Sequence, residues 1–259
     1  MLLKTKRLMI LYPNAKINIG LNVLWKRDDE YHELSSVFYP IYELYDVLEI
    51  IADDNFSFSC SGIDIQDETN ICIRAFELLK KNFGIGNVRM HLHKRIPIGA
   101  GLGGGSADAA FVLKGVNELF SLNINNTDLE KYALELGADC PFFIENTPKY
   151  VSGIGDKMQN ISLDFTNYKI HFIFPELHIS TEKAYSNISP NIPSDHLLDL
   201  IKEPIDNWKG KIKNDFETPI FLKYPELEKL KDNFYIDGAV YASMTGSGSV
   251  LYGWFPNHS

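Results

Sequence analysis

Five glycines fall within seven residues, at Gly99, Gly101, Gly103, Gly104 and Gly105, and the run from Pro97 through Leu102 to Asp108 leads into a stretch that reads as helix from about Gly104 to Phe120. Glycine lets a backbone take positive φ and approach a ligand with no side chain in the way. A helix starting there directs unpaired N–H groups and the positive end of its dipole at whatever the loop encloses, so phosphate is the natural guest. A Walker loop is excluded, because Ser106 and Ala107 follow the glycines where Lys-Ser/Thr would be needed. Gly99, Gly101 and Gly104 fit the spacing of a dinucleotide fingerprint, but the acidic residue due about twenty positions later is met only loosely, by Asp128. The alternative is a flexible surface loop, although linkers do not usually separate a basic strand from an alanine-rich helix.

Moving a phosphoryl group needs in-line positioning, charge stabilisation and a residue to manage the proton of the accepting hydroxyl. Asp139, in Gly137-Ala138-Asp139-Cys140-Pro141-Phe142-Phe143, is the best candidate for a general base, since a carboxylate in a turn beside apolar residues is partly desolvated. Read alone, an aspartate after Gly-Ala is more often a turn or capping residue than a base. Lys16 and Asn18 stand two apart on an alternating segment and so face one side of a strand, a spacing that suits an ammonium and an amide addressing one substrate. A lone strand lysine is otherwise a solvated side chain. Thr181 and Tyr185, four apart, share a helical face. His91 and His93 have the look of a metal pair, but they fall on the polar face of a strand with no obvious partners, which favours simple exposure.

These residues need elements to carry them. Alternation predicts strands over 16–24, 42–51 and 55–60, then a helix from Thr69 to Asn82 stopped by Phe83-Gly84. Val88, Met90 and Leu92 alternate with Arg89, His91 and His93 in a half-buried strand that runs through Lys94 and Arg95 into the glycine loop. Thr127-Asp128-Leu129-Glu130 has capping-box spacing, and Gly137 closes that helix. A strand over 169–174, short helices near Thr181, Leu197 and Pro225, and strands flanking 245–249 complete the pattern. Strands and helices without regular alternation imply an α+β architecture, and 259 residues fit one large or two small domains.

A formal charge of −9 argues against a nucleic-acid surface, so an anionic substrate needs a local positive pocket, with Lys16, Lys94 and Arg95 at hand. Three cysteines, Cys60, Cys72 and Cys140, lack disulfide-framework or zinc spacing. The start carries Lys4, Lys6 and Arg7, but the apolar run 8–12 is too short for a signal-peptide core, and no stretch approaches a membrane span. A cytoplasmic protein with no membrane partner is expected.

The glycine run closely resembles the second motif of the GHMP kinases, a superfamily of small-molecule kinases. Asn14-Ala15-Lys16-Ile17-Asn18-Ile19-Gly20-Leu21, followed by Asp29-Glu30-Tyr31-His32-Glu33-Leu34, resembles the 4-diphosphocytidyl-2-C-methyl-D-erythritol kinases within it. The Gly137 segment, Gly153-Ile154-Gly155-Asp156, Asn214-Asp215-Phe216-Glu217 and Met244-Thr245-Gly246-Ser247-Gly248 stand where that family's motifs fall, so the resemblance spans essentially the whole chain. It implies a two-domain GHMP kinase fold, divided here as 1–157 and 158–259: a ribosomal-protein-like N-terminal domain and a ferredoxin-like C-terminal one, with the active site in the interdomain cleft.

The activity implied is ATP-dependent phosphorylation of the 2-hydroxyl of 4-diphosphocytidyl-2-C-methyl-D-erythritol, on the non-mevalonate route to isoprenoid precursors. Asp139 and Lys16 become the catalytic pair. Asn18, Tyr31, His32, Thr181 and Tyr185 become substrate residues, the two tyrosines sandwiching the cytosine and the His32 backbone reading its edge. Without the resemblance, Tyr31-His32 is only a loop with an anchoring aromatic. ATP falls to Pro97, Gly99, Gly101, Leu102, Gly103, Gly104, Gly105, Ser106 and Ala107, with Asn70 and Lys94 on the adenine side, though Asn70 is equally suited to capping a helix. Mg2+ is implied by the ATP chemistry, with Ser106 a candidate contact and no carboxylate cage in view. Ala107 departs from the family's usual second serine, which removes a hydroxyl contact and leaves the backbone donors intact. The rivals are another GHMP kinase of homoserine or mevalonate type, disfavoured by Tyr31-His32 and Tyr185, and a non-catalytic nucleotide sensor, which would be expected to lack Lys16 or Asp139.

Overall fold

The structure, a computed structural model, describes residues 7–65, 70–186 and 188–257. Compact packing divides the chain into two units, one of residues 1–16, 40–98 and 103–147 and the other of 17–39, 99–102 and 148–259.

In the first unit, β1 (Leu8–Leu11), β4 (Val47–Asp53), β6 (Asn87–Lys94) and β5 (Ser57–Gly62) form a sheet in the order β1-β4-β6-β5, with β5 parallel to β6 and the other pairs antiparallel. Its apolar positions, Leu48 and Ile50 on β4 and Val88, Met90 and Leu92 on β6, are all buried, as the alternation requires. Against it packs α2 (Gly104–Leu119), with α1 (Ile71–Phe83) alongside α2, followed by α3 (Asn126–Leu136) and α4 (Phe142–Glu145). The buried run Ala107 to Leu113 makes α2 the central helix. Gly115 sets its approach to the sheet, because a Cβ there would lie 2.5 Å from Leu11 Cδ1 and 2.9 Å from Ile50 Cδ1.

The second unit holds β2 (Asn14–Lys26) from Ile17 onward, β3 (His32–Tyr45) as far as Tyr39, β7 (Lys149–Gly153) and β8 (Lys157–Asn160), in the order β2-β3-β7-β8. A second sheet, β10 (Tyr241–Met244), β11 (Leu251–Pro256) and β9 (Tyr168–Ile173), is antiparallel throughout. Short helices α5 (Thr181–Ser186), α6 (Leu197–Leu200), α7 (Glu217–Lys223) and α8 (Pro225–Ile236) accompany them. A core of Val23, Ile179, Ala184, Phe216, Ile220, Leu227, Phe234 and Met244 joins α5, α7 and α8 to the strands. The α+β architecture matches the expectation.

Three local expectations shift. The strand read over 42–51 is two strands, because Asp46 interrupts it: its N–H donates to the Pro13 carbonyl (2.8 Å) and its carboxylate turns inward. The cap of α3 is not Thr127 but Asn125, whose side chain accepts from Asp128 N (3.0 Å) while its amide donates to the Asp128 carboxylate (3.0 Å). The helix expected from Thr69 begins at Ile71 behind an Asn70 cap, and Thr69 lies outside the described residues, as do Lys4 and Lys6. Gly84 and Gly137 close α1 and α3 as expected.

Candidate active site

The glycine loop leaves β6 after Lys94 and ends at Gly103, the N-cap of α2, with Gly99, Gly101 and Gly103 at φ of 67°, 77° and 69°. Gly101 has no alternative: a Cβ there would lie 2.2 Å from the Thr245 carbonyl oxygen. The Thr245 hydroxyl donates to the Gly101 carbonyl (3.1 Å) and accepts from the Asn18 N–H (3.0 Å). Asn214 braces that turn, its amide donating to the carbonyls of Met244 (2.7 Å) and Gly246 (2.8 Å). Beyond the loop, α2 has no acidic residue in its first turn, and Gly105 is exposed with no atom within 4 Å of a built Cβ. An unobstructed helix N-terminus of this kind is a seat for an anion.

Lys16 lies against that helix start. Its side-chain carbons come within 3.1 and 3.2 Å of a Cβ built on Gly103, and its ammonium stands 3.5 Å from the Asp139 carboxylate. The lysine side chain is 4% exposed and the aspartate 33%, so one partner is desolvated while the other reaches solvent. Burial lowers the Lys16 pKa, and the charge and hydrogen bond of Asp139 push it back up. Asp139 occupies the turn between α3 and α4, in which Cys140 N donates to the Gly137 carbonyl (3.1 Å). The apolar run after it, read as following a turn, is the buried helix α4. The Cys140 thiol, pushed by burial up to about 11, meets the Ser106 hydroxyl of α2.

The remaining residues fall into place in different ways. Asn18 is buried, its amide donating to Ser36 Oγ (2.8 Å), which donates to the Gly20 carbonyl (2.7 Å). The ring stacked on Tyr185 is His32, at 5.1 Å between centroids and 26° between planes, while Tyr31 is 60% exposed just ahead of β3. Thr181, at the start of α5, shares a hydrogen bond with Ser247 (3.1 Å). Asn70 caps α1, its side chain accepting from Cys72 N (2.8 Å). The Lys94 ammonium turns inward to Asp46 and Asp108, away from solvent. Leu102, Gly104 and Ala107 are buried, and Pro97 is half-buried. His91 and His93 have partners after all, in a surface ladder with Ser59 and Ser61 at 2.8 to 2.9 Å. Among the described residues, no three His, Cys, Asp or Glu cluster to hold a metal.

Asp46 and Asp108 carry no local mark of their part in the site, although Asp108 continues the glycine motif directly. Thr245 and Asn214 lie within sequence motifs that give them no role by themselves; a small polar residue beside a glycine is the signal for Thr245, and Asn214 carries none.

This geometry coincides with a match to known families. Residues 70–146 match the GHMP kinases N terminal domain and residues 196–259 the GHMP kinases C terminal model. A 4-diphosphocytidyl-2-C-methyl-D-erythritol kinase of Parabacteroides distasonis is 46% identical over 254 residues, 96% of this chain and 93% of its own. One of Bacteroides thetaiotaomicron is 47% identical over 253 residues, covering 95% and 92%. A crystal structure of 4-(cytidine 5'-diphospho)-2C-methyl-D-erythritol kinase superposes with a TM-score of 0.79 at 32% identity, covering 95% of this chain and 89% of that one. With nearly half its residues shared across almost its full length, the chain belongs to the 4-diphosphocytidyl-2-C-methyl-D-erythritol kinase family of the GHMP kinases.

Proposed function

We propose that the protein is an ATP-dependent kinase acting on the 2-hydroxyl of 4-diphosphocytidyl-2-C-methyl-D-erythritol, in the non-mevalonate supply of isoprenoid precursors. The observation that carries the reading is the Lys16–Asp139 pair set against Gly103, the N-cap of the helix whose first turn stands open. A kinase needs an anion seat and a hydroxyl-directed carboxylate side by side, and this pair supplies the second at the edge of the first.

In this reading the backbone N–H groups of Gly104, Gly105 and Ser106 bind the transferring phosphate and stabilise its charge. Asp139, the more exposed partner, takes the proton of the accepting alcohol. Lys16, 3.5 Å from Asp139, presents its ammonium to the charge that develops, at full strength because burial has stripped it of water. Asn70 and Lys94 flank the nucleotide, Lys94 through its backbone, since its side chain is buried. With no three His, Cys, Asp or Glu clustered to hold a metal among the described residues, Mg2+ would be held mainly by the triphosphate and water, with the Ser106 hydroxyl as the chain's own ligand. When bound, Mg2+ neutralises charge on the phosphates.

Asn18 and Thr181 address the alcohol, and the Tyr185 ring receives the cytosine. The His32–Tyr185 stack supports a planar guest, since that pair already holds two rings face to face. Tyr31, exposed just ahead of β3, is the second aromatic assigned to the base in this reading. No helix among the described residues is long and apolar enough to cross a membrane, and the free cysteines fit a reducing cytoplasm. A coupled assay of ADP release against a panel of alcohols tests the proposal. The cytidine-diphosphate alcohol should be the one good acceptor, and equal turnover of homoserine or mevalonate would refute it.

A further inference from the structure

Directly beneath the glycine loop, three ionisable side chains are buried together. Lys94, the last residue of β6, donates to the carboxylates of Asp46 and, at 2.8 Å, of Asp108. Asp46, between β3 and β4, accepts with its other oxygen from the N–H groups of Arg95 (2.5 Å) and Ile96 (2.8 Å), the first two residues of the loop. Asp108 belongs to the second turn of α2, into which the loop delivers the chain. A Cβ on Gly104 would come 2.9 Å from the Lys94 ammonium, so that charge sits under the first residue of the helix.

Stability alone is a poor reason for this arrangement. A buried ion triad often gains nothing over packed apolar side chains, because desolvation consumes the Coulomb attraction. One oxygen, Asp108 Oδ1, is buried with no hydrogen-bond partner, a further cost. What the triad does achieve is geometric, since Asp46 fixes the departure of the loop and Lys94 ties that point to the helix where the loop ends. The charges also suit an anion above. A lone ammonium under a helix N-terminus would oppose the dipole, and two ionised carboxylates would repel phosphate.

We propose that Asp46, Lys94 and Asp108 are positioning residues that clamp the two ends of the glycine loop and so hold the open first turn of α2 in the geometry that receives the triphosphate of ATP. The proposal rests on the kinase reading above; it adds Asp46 and Asp108, which touch neither substrate, and gives the buried Lys94 ammonium a part separate from the backbone that flanks the nucleotide. Asp108 is faced by Lys94 from β6, Asp46 from the β3–β4 junction, Cys72 from α1 and Cys60 from β5. Burial, and after it the Asp46 charge, raise its pKa to about 8 against the pull of Lys94. With its proton the cluster is neutral; without it one net negative charge lies below the phosphate seat.

Asp108→Ala cuts the tie to the helix while leaving the Asp46–Lys94 pair compensated. It should raise KM for ATP at least tenfold, with KM for the cytidine-diphosphate alcohol within twofold of wild type. Asp108→Asn, which keeps an acceptor for Lys94 and, like the protonated acid, a donor toward Asp46, should restore KM for ATP to within threefold. Unchanged KM for ATP in Asp108→Ala, an equal rise for both substrates, or no rescue by asparagine would each overturn the proposal. Should the alanine variant not fold, wild type and Asp108→Asn decide the matter. KM for ATP should climb in wild type between pH 7 and 9 as Asp108 ionises, and stay level in the variant; parallel profiles overturn it. Wild-type turnover is the control, since its absence refutes the kinase reading and leaves no KM to compare.

Discussion

Gly105→Ala separates binding from folding at the helix that is to hold phosphate. Gly105 has ordinary helical φ, and a Cβ added there meets no atom within 4 Å, so the methyl enters open space. Replacing a helical glycine with alanine stabilises by about 0.5 to 1 kcal/mol, which at this chain length raises Tm by roughly 1 to 4 °C. The same methyl stands in the first turn, where a docked phosphate would need the N–H groups at hydrogen-bond distance. Loss of one hydrogen bond to a charged group costs about 1.5 to 3 kcal/mol, or roughly 10- to 150-fold in nucleotide affinity. Thermal unfolding and calorimetric titration with a non-hydrolysable ATP analogue read the two effects on one sample. An affinity within twofold of wild type at an equal or higher Tm would show that the open turn is not the phosphate seat. Gly104 and Gly101 cannot serve for this test, since a Cβ at either strikes protein atoms, at 2.8 Å on Ile96 and 2.2 Å on Thr245.

Asp139→Asn should lower kcat by roughly 10² to 10⁴ with KM for the alcohol little changed, and steady-state kinetics retaining more than a tenth of wild-type kcat would rule out the proton-handling role. Tyr185→Ala should weaken the cytidine-diphosphate alcohol by about 1 to 3 kcal/mol, the range for base–aromatic stacking, while ATP binding holds; an equal loss for both ligands in calorimetry would assign the ring a structural part only. Stability should depend on pH through Asp108, whose pKa rises from an ordinary 3.8 to about 8 in the folded protein. Between those values the folded state holds a proton that the unfolded chain has released, so the contribution of Asp108 to stability is full below about pH 4, declines as pH rises toward 8 and is level above it. Denaturant titrations of wild type and Asp108→Asn at pH 5, 7 and 9 should diverge with rising pH, the asparagine variant losing less, and parallel curves would refute the shift.

The parts of the molecule legible in sequence are those written in local pattern. Alternation along Val88 to Lys94 and the alanine-rich run after Gly104 announce β6 and α2, because burial of one face is a periodic demand on neighbouring residues. Gly84 and Gly137 announce helix ends for a similarly local reason. The strand break at Asp46 had no such mark. It exists because a carboxylate meets two N–H groups 49 and 50 residues further on and a lysine 48 residues further on, and no window of sequence contains that appointment.

The candidate site divides along the same line. Lys16 and Asp139 each looked ordinary alone, and became a pair only when β2 and the turn before α4 brought a 4%-exposed ammonium to a carboxylate 123 residues away. The pairing of aromatic rings depended on register. Tyr31 and His32 are adjacent, so a strand beginning at His32 commits that ring to Tyr185 and leaves its neighbour turned to solvent, a choice that residue type does not reveal. Lys94 is the sharpest instance. A lysine at the mouth of a phosphate loop invites assignment to the ligand, yet a nearly buried ammonium between two carboxylates has its charge already matched. Its effect on an anion must therefore pass through the backbone it anchors, which is why the decisive measurement is the ATP KM of a variant altered at a residue no nucleotide touches.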